Sequence, residues 1–167
     1  MKHQRIHIIG PPGSGKTDLA VRLADLYGYP VFNLDLVAYS DADSGAFQAP
    51  RPRLARLIAV DEYAELPFWI AEGVYFSWAG KSFKNADVIV LLHPPCHIRA
   101  RNLQQRHASL VAKKPDHRLT YLLEQNDSFD SLYNERIAGF LRPFQAKMRV
   151  FTGPSKAYKF FARLSQQ

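Results

Sequence analysis

The sequence predicts a three-layer α/β/α fold built on a five-stranded parallel sheet. Three observations predict it. Strand-like runs alternate with helical stretches along the whole chain. Those runs are continuously apolar, as in strands covered on both faces, not alternating as in a half-exposed sheet. The first run enters the first helix through Gly10-Pro11-Pro12-Gly13-Ser14-Gly15-Lys16-Thr17, a glycine-rich strand-to-helix turn.

The first strand is expected over about residues 4–9. A helix follows from Lys16 to Tyr27, with Leu19, Leu23 and Leu26 at i, i+4 and i+7 and Gly28 placed as its cap. A short strand, Val31–Leu34, ends at Asp35. Residues 40–52 read as an exposed loop, small, acidic and proline-containing. Arg53 to Glu65 reads as a helix with Leu54, Leu57 and Ile58 on its apolar face. The run Phe68–Ala71 is a buried strand ending at Glu72-Gly73. Residues 77–85 fit either a loop or a short helix. Val88–Leu92 is the clearest strand, β-branched and continuous, and Pro94-Pro95 end it. Helices are then expected over 95–107, 116–126 and 131–147, with Pro143 kinking the last. Its apolar face is Ile137, Phe140, Leu141, Phe144 and Met148. Arg149–Thr152 forms the fifth strand, and a final helix runs from the Gly153-Pro154-Ser155 turn to about Leu164.

A chain of 167 residues, 47% of them apolar, suits one domain with its own core, and no repeat or linker divides it. No apolar run approaches the roughly 20 residues of a membrane span. The residues ahead of the glycine-rich turn hold no apolar core or small-residue cleavage site, so a cytoplasmic protein is expected. The single cysteine, Cys96, excludes an internal disulfide and fits a reducing compartment. The formal charge of +7 suits anionic partners, either nucleic acid or phosphorylated small molecules. Its basic residues are dispersed, with a local excess from Arg99 to Arg118 and no nucleic-acid-binding tail. The composition accommodates a monomer or a homodimer.

Gly10–Thr17 matches G-x-x-x-x-G-K-[ST], the phosphate-cradling P-loop, in the strand-before, helix-after context the motif requires. Glycines let backbone N–H groups close round phosphate oxygens, and the following helix offers further N–H groups and a positive dipole end. Lys16 reaches the outer phosphates and the Thr17 hydroxyl suits Mg²⁺. Parallel sheets bind ligands at the carboxyl ends of their strands. Besides the P-loop, those ends carry Asn33 and Asp35, Glu72 and His93. Asp35 also reads as a helix N-cap or a solvated acid, Glu72 as a turn cap, and His93 as a hydrogen-bonded structural group. Arg99 and Arg106, seven apart, share a helix face that is either functional or simply solvated.

With these pieces the chain resembles the P-loop nucleoside/nucleotide kinase superfamily, which includes adenylate and shikimate kinases. Within it the chain is most similar to small bacterial adenylate-kinase-like proteins often labelled DNA topology modulation proteins. The likeness rests on Gly10–Thr17, Asn33-Leu34-Asp35, Trp69–Tyr75, Ala86–Pro94 and the arginines that follow. It implies ATP and Mg²⁺, with Lys16 on the transferring phosphoryl group, Thr17 on the metal and Glu72 supporting the metal through water. Asp35 would take the acceptor hydroxyl. Arg99, Arg106 and Arg118 would neutralise the phosphate in flight. The adenine would rest near residues 153–156, against Ser155 and Lys156. A short lid is expected at about residues 108–117. Three departures are visible: Glu72 replaces an aspartate, His93 stands where relatives often have an acid, and the paired lid arginines are incomplete. The expected activity is phosphoryl transfer from ATP to a small hydroxyl acceptor, nucleoside-like or other. The alternative is an NTP-binding regulator acting through nucleic acid or a protein partner.

Overall fold

The computed structural model describes residues 4–42, 47–108 and 117–166. The expected lid, apart from its two end residues, lies outside them.

Five strands form one sheet: β1 (Arg5–Ile9), β2 (Val31–Asn33), β3 (Trp69–Glu72), β4 (Val88–Leu92) and β5 (Met148–Phe151). Their order is β2-β3-β1-β4-β5, and every pairing is parallel. The helices are α1 (Lys16–Tyr27), α2 (Leu34–Ala38), α3 (Arg53–Ala64), α4 (Gly80–Asn85), α5 (Cys96–Ala108), α6 (His117–Leu132), α7 (Ala138–Leu141) and α8 (Pro154–Ser165).

The continuous apolar runs are explained by burial on both faces. In β1 and β4, Ile6, Ile8, Val88, Val90 and Leu92 join Leu19, Leu23 and Phe161 of α1 and α8 in one core. Their alternate neighbours Ile9, Ile89 and Leu91 pack with Tyr63, Trp69, Phe83 and Leu141 in a second core across the sheet. The edge strands are less covered, and Val150 of β5 is exposed.

Three expectations change, and one left open is decided. β2 stops at Asn33, whose side-chain oxygen accepts from the Asp35 N–H and caps α2, so Asp35 sits in a helical first turn. In α3 the buried residues are Val60, Tyr63 and Ala64, while Leu54 and Ile58 are exposed, because only the second half of that helix reaches the core. The stretch at 77–85 contains helix α4. Residues 117–147 are not two separate helices: α6 passes directly into a π-helical turn at Tyr133–Ile137, then α7, then a 3₁₀ segment at Arg142–Lys147 around Pro143.

His7, midway along central β1, is fully buried and stacks on Phe83 at 4.0 Å. Its Nε2 is 3.2 Å from the Gly73 carbonyl, which only accepts, so Nε2 carries the proton and Nδ1 accepts from the Ser82 hydroxyl at 2.8 Å. Burial pushes its pKa down from 6.5 to about 4. Between those values the unfolded chain binds a proton the folded chain refuses, so stability falls as pH drops through that window. The loss attributable to His7 is expected to be about 3 kcal/mol from neutral pH to pH near 4. Urea unfolding of wild type and His7→Gln across this range checks it: the difference between them should change with pH, and parallel curves would refute it.

Candidate active site

The P-loop closes tightly because its glycines admit close neighbours. Gly13 has φ +74°, and a β-carbon there would lie 2.4 Å from the Arg99 carbonyl oxygen of α5. The Gly13 carbonyl accepts from Asn102 Nδ2 at 2.9 Å. The loop is thereby held against α5 from its own backbone. Ser14 Oγ is buried with no protein partner among the described residues.

Lys16 Nζ donates to the Gly10 and Pro11 carbonyls at 2.9 and 3.2 Å. Burial lowers its pKa, while Glu72 and Asp35 oppose that shift. Thr17 Oγ1 donates to Glu72 Oε1 at 2.9 Å. Glu72 is 4% exposed, and burial raises its pKa against the opposing charge of Lys16. A hydroxyl and a carboxylate side by side form an oxygen donor set of the kind a hard cation such as Mg²⁺ takes. Among the described residues no group of three or more His, Cys, Asp or Glu could hold a metal; a Mg²⁺ shell at Thr17 and Glu72 would be filled by waters and phosphate oxygens.

Gly73 follows Glu72 at φ +145°, where a β-carbon would lie 2.8 Å from Leu34 Cβ. That close approach brings the loop after β3 over the start of α2. Tyr75 then donates its hydroxyl to Asp35 Oδ1 at 2.6 Å. Burial and then the Asp35 charge raise the Tyr75 pKa, so it stays protonated as a donor.

These groups line one open cleft of about 1180 Å³. That lies just above the roughly 300–1,000 Å³ of single-ligand pockets. Pro12, Gly13, Gly15, Lys16, Thr17, Asp35, Glu72, Arg106 and Arg118 all contribute to its walls. Pro154 lines it too, against Gly15, whereas Ser155 and Lys156, the next two residues of α8, are exposed.

Arg99 departs from its expected place. It is fully buried, and its guanidinium donates to both Asp130 oxygens at 3.0 and 3.1 Å and to the Asn126 carbonyl at 3.3 Å. It therefore pins α5 to α6 instead of lining the cleft. His93 joins it, with Nε2 2.7 Å from Asp130 Oδ1. Asp130→Ala strands a buried cation, so it is expected to cost about 1–3 kcal/mol, discounted for the half-exposed aspartate. Thermal unfolding checks this, with Arg99→Met added to Asp130→Ala recovering part of the loss; an unchanged melting temperature in the single variant would refute it.

Arg136, Asn102 and the Tyr75–Asp35 bond escaped the sequence reading. Arg136 lines the cleft from the π-helical turn, and no ion pair is formed by it among the described residues. Its signal was spacing: Arg118, Leu122, Gln125, Phe129, Leu132 and Arg136 recur at alternating intervals of four and three, one helix face, and all line the cleft.

Comparison with protein-family models and with curated proteins finds no match. Solved structures do match. A shikimate kinase from Bacteroides thetaiotaomicron is 17% identical with a TM-score of 0.62, covering 98% of this chain and 99% of that one. A gluconokinase from Sinorhizobium meliloti 1021 is 16% identical with a TM-score of 0.60, covering 99% and 91%. A shikimate kinase from Acinetobacter baumannii, in complex with shikimate, is 16% identical with a TM-score of 0.56, covering 98% and 89%. The fold is thus the three-layer α/β fold of the P-loop kinases.

Proposed function

We propose that the protein is an ATP-dependent kinase that transfers the γ-phosphoryl group to a hydroxyl of a small acceptor, nucleoside-like or other. The observation that carries this reading is the opening of one cleft onto both Lys16–Thr17–Glu72 and Asp35. A phosphate-binding loop alone suits any nucleotide binder. A carboxylate in the same cleft, with one oxygen held by Tyr75, supplies the second half of a transfer site.

ATP is the phosphoryl donor, with its phosphates over Gly13–Thr17. Mg²⁺, when bound at Thr17 and supported by Glu72, neutralises phosphate charge. Lys16 stabilises charge on the transferring group, and Arg106 and Arg118 reach it from α5 and α6. Asp35 orients the acceptor hydroxyl through Oδ2 while Tyr75 holds Oδ1. The acceptor oxygen bonds to phosphorus as the bond to the ADP oxygen breaks, and the hydroxyl proton leaves along the Asp35 hydrogen bond. Arg99 acts as a positioning residue that holds α6 to α5. The narrower likeness to DNA topology modulation proteins stands as a proposal beside this one, as does a cytoplasmic location. Among the described residues, no helix is long and apolar enough to cross a membrane.

The test is transfer of labelled phosphate from ATP to a metabolite panel, with Lys16→Ala alongside. A labelled product from wild type alone supports the reading. The +7 charge motivates the second reading, a nucleotide-binding regulator acting through nucleic acid or a protein partner. Salt-sensitive DNA binding without any labelled product would favour that one.

A further inference from the structure

We propose that the acceptor is built on a flat, unsaturated ring and presents one reactive hydroxyl to Asp35. This deepens the kinase reading and rests on it.

The walls of the cleft point to such a molecule. Val74, Tyr75 and Phe76 enter from the loop after β3, and Phe129, Leu132 and Ile137 from α6 and its π-helical turn. Aromatic faces favour a flat partner, which can stack offset or edge-on, over a puckered saturated one. Tyr75 is already fixed for this task. Its hydroxyl is held by Asp35 at 2.6 Å, and its ring lies 4.8 Å from that of Trp78. A wall that does not have to be ordered when ligand arrives contributes more of its contact energy to binding.

One Asp35 oxygen is engaged by Tyr75, so Oδ2 is the one that meets the acceptor hydroxyl while the ring meets the aromatic walls. The arginines of the cleft do not contradict this, since guanidinium groups pack on flat rings as well as on phosphate.

The experiment measures ADP release from Mg²⁺-ATP with single added acceptors. One arm uses ring-bearing alcohols: nucleosides, pyridoxine and benzyl alcohol. The other uses gluconate, shikimate and glycerol. Ring-bearing compounds are expected to accelerate ADP release at least about tenfold more than the non-aromatic set. Tyr75→Leu, which removes the ring, should raise the KM of the responding compound by up to about tenfold. Tyr75→Phe, which keeps the ring but frees Asp35, should lower kcat by about fivefold with KM nearly unchanged. Binding of a fluorescent ATP analogue is measured throughout. If the analogue binds and only the non-aromatic compounds respond, or none does, or Tyr75→Leu leaves KM unmoved, the ring proposal fails. If wild type does not bind the analogue, the kinase reading itself fails.

Discussion

Lys16→Ala is expected to lower phosphoryl transfer from ATP by about 10²–10³-fold while leaving the protein folded. The amine curls back over the loop onto the Gly10 and Pro11 carbonyls, so it is fixed in place before any ligand arrives. Burial works against its charge, as the lowered pKa records, and the nearby Glu72 and Asp35 only partly offset that. A cation so placed gains from an anion delivered into the cleft, and gains most where negative charge builds up during transfer. Removing it takes away stabilisation that water cannot replace at that depth. Lys16→Arg should not restore the rate, because a planar fork cannot occupy the space of a compact ammonium group. Steady-state ATP turnover, with circular dichroism melts to confirm folding, checks both. A folded Lys16→Ala protein turning over at the wild-type rate would remove Lys16 from the chemistry.

The parts of this site that could be read in the sequence are those set by local chemistry. The P-loop is legible because a strand, a tight glycine turn and a helix are adjacent in the chain. The central strands are legible because burial on both faces leaves only apolar residues. What escaped depends on contacts between distant segments. Arg99 and Arg106 do share a helix face, but seven residues separate them by about 10 Å along the axis. That distance takes Arg99 beneath α6, against Asp130, and leaves Arg106 in the cleft. The Arg118–Arg136 stripe was hidden because the polar stretch Asn126-Asp127-Ser128 reads as a break. In the structure those residues continue the helix, and Asn126 is buried there beneath Arg99. Likewise Asn33 caps α2 by a two-residue side-chain bond, so the strand ends just before Asp35.

That last detail bears on the second large effect. Asp35→Asn is expected to lower acceptor-dependent turnover by about 10²–10⁴-fold while leaving ATP affinity within about twofold. The carboxylate is fixed from two directions: the Asn33 cap sets its backbone and the Tyr75 hydroxyl holds Oδ1. Oδ2 is thereby directed to a second partner, and an acceptor hydroxyl is the natural one. An amide of the same shape keeps the packing but cannot take a proton, whichever of its ends faces the Tyr75 hydroxyl, which donates or accepts. With the amide oxygen on Tyr75, the NH₂ points where the acceptor's hydroxyl must donate, a donor facing a donor. The P-loop, Thr17 and Glu72 are untouched, so nucleotide binding should survive. Comparing ATP-analogue affinity with labelled-product formation separates the two halves of the site. Equal loss of both would mean that Asp35 supports the nucleotide, and loss of neither that the acceptor binds elsewhere in the cleft.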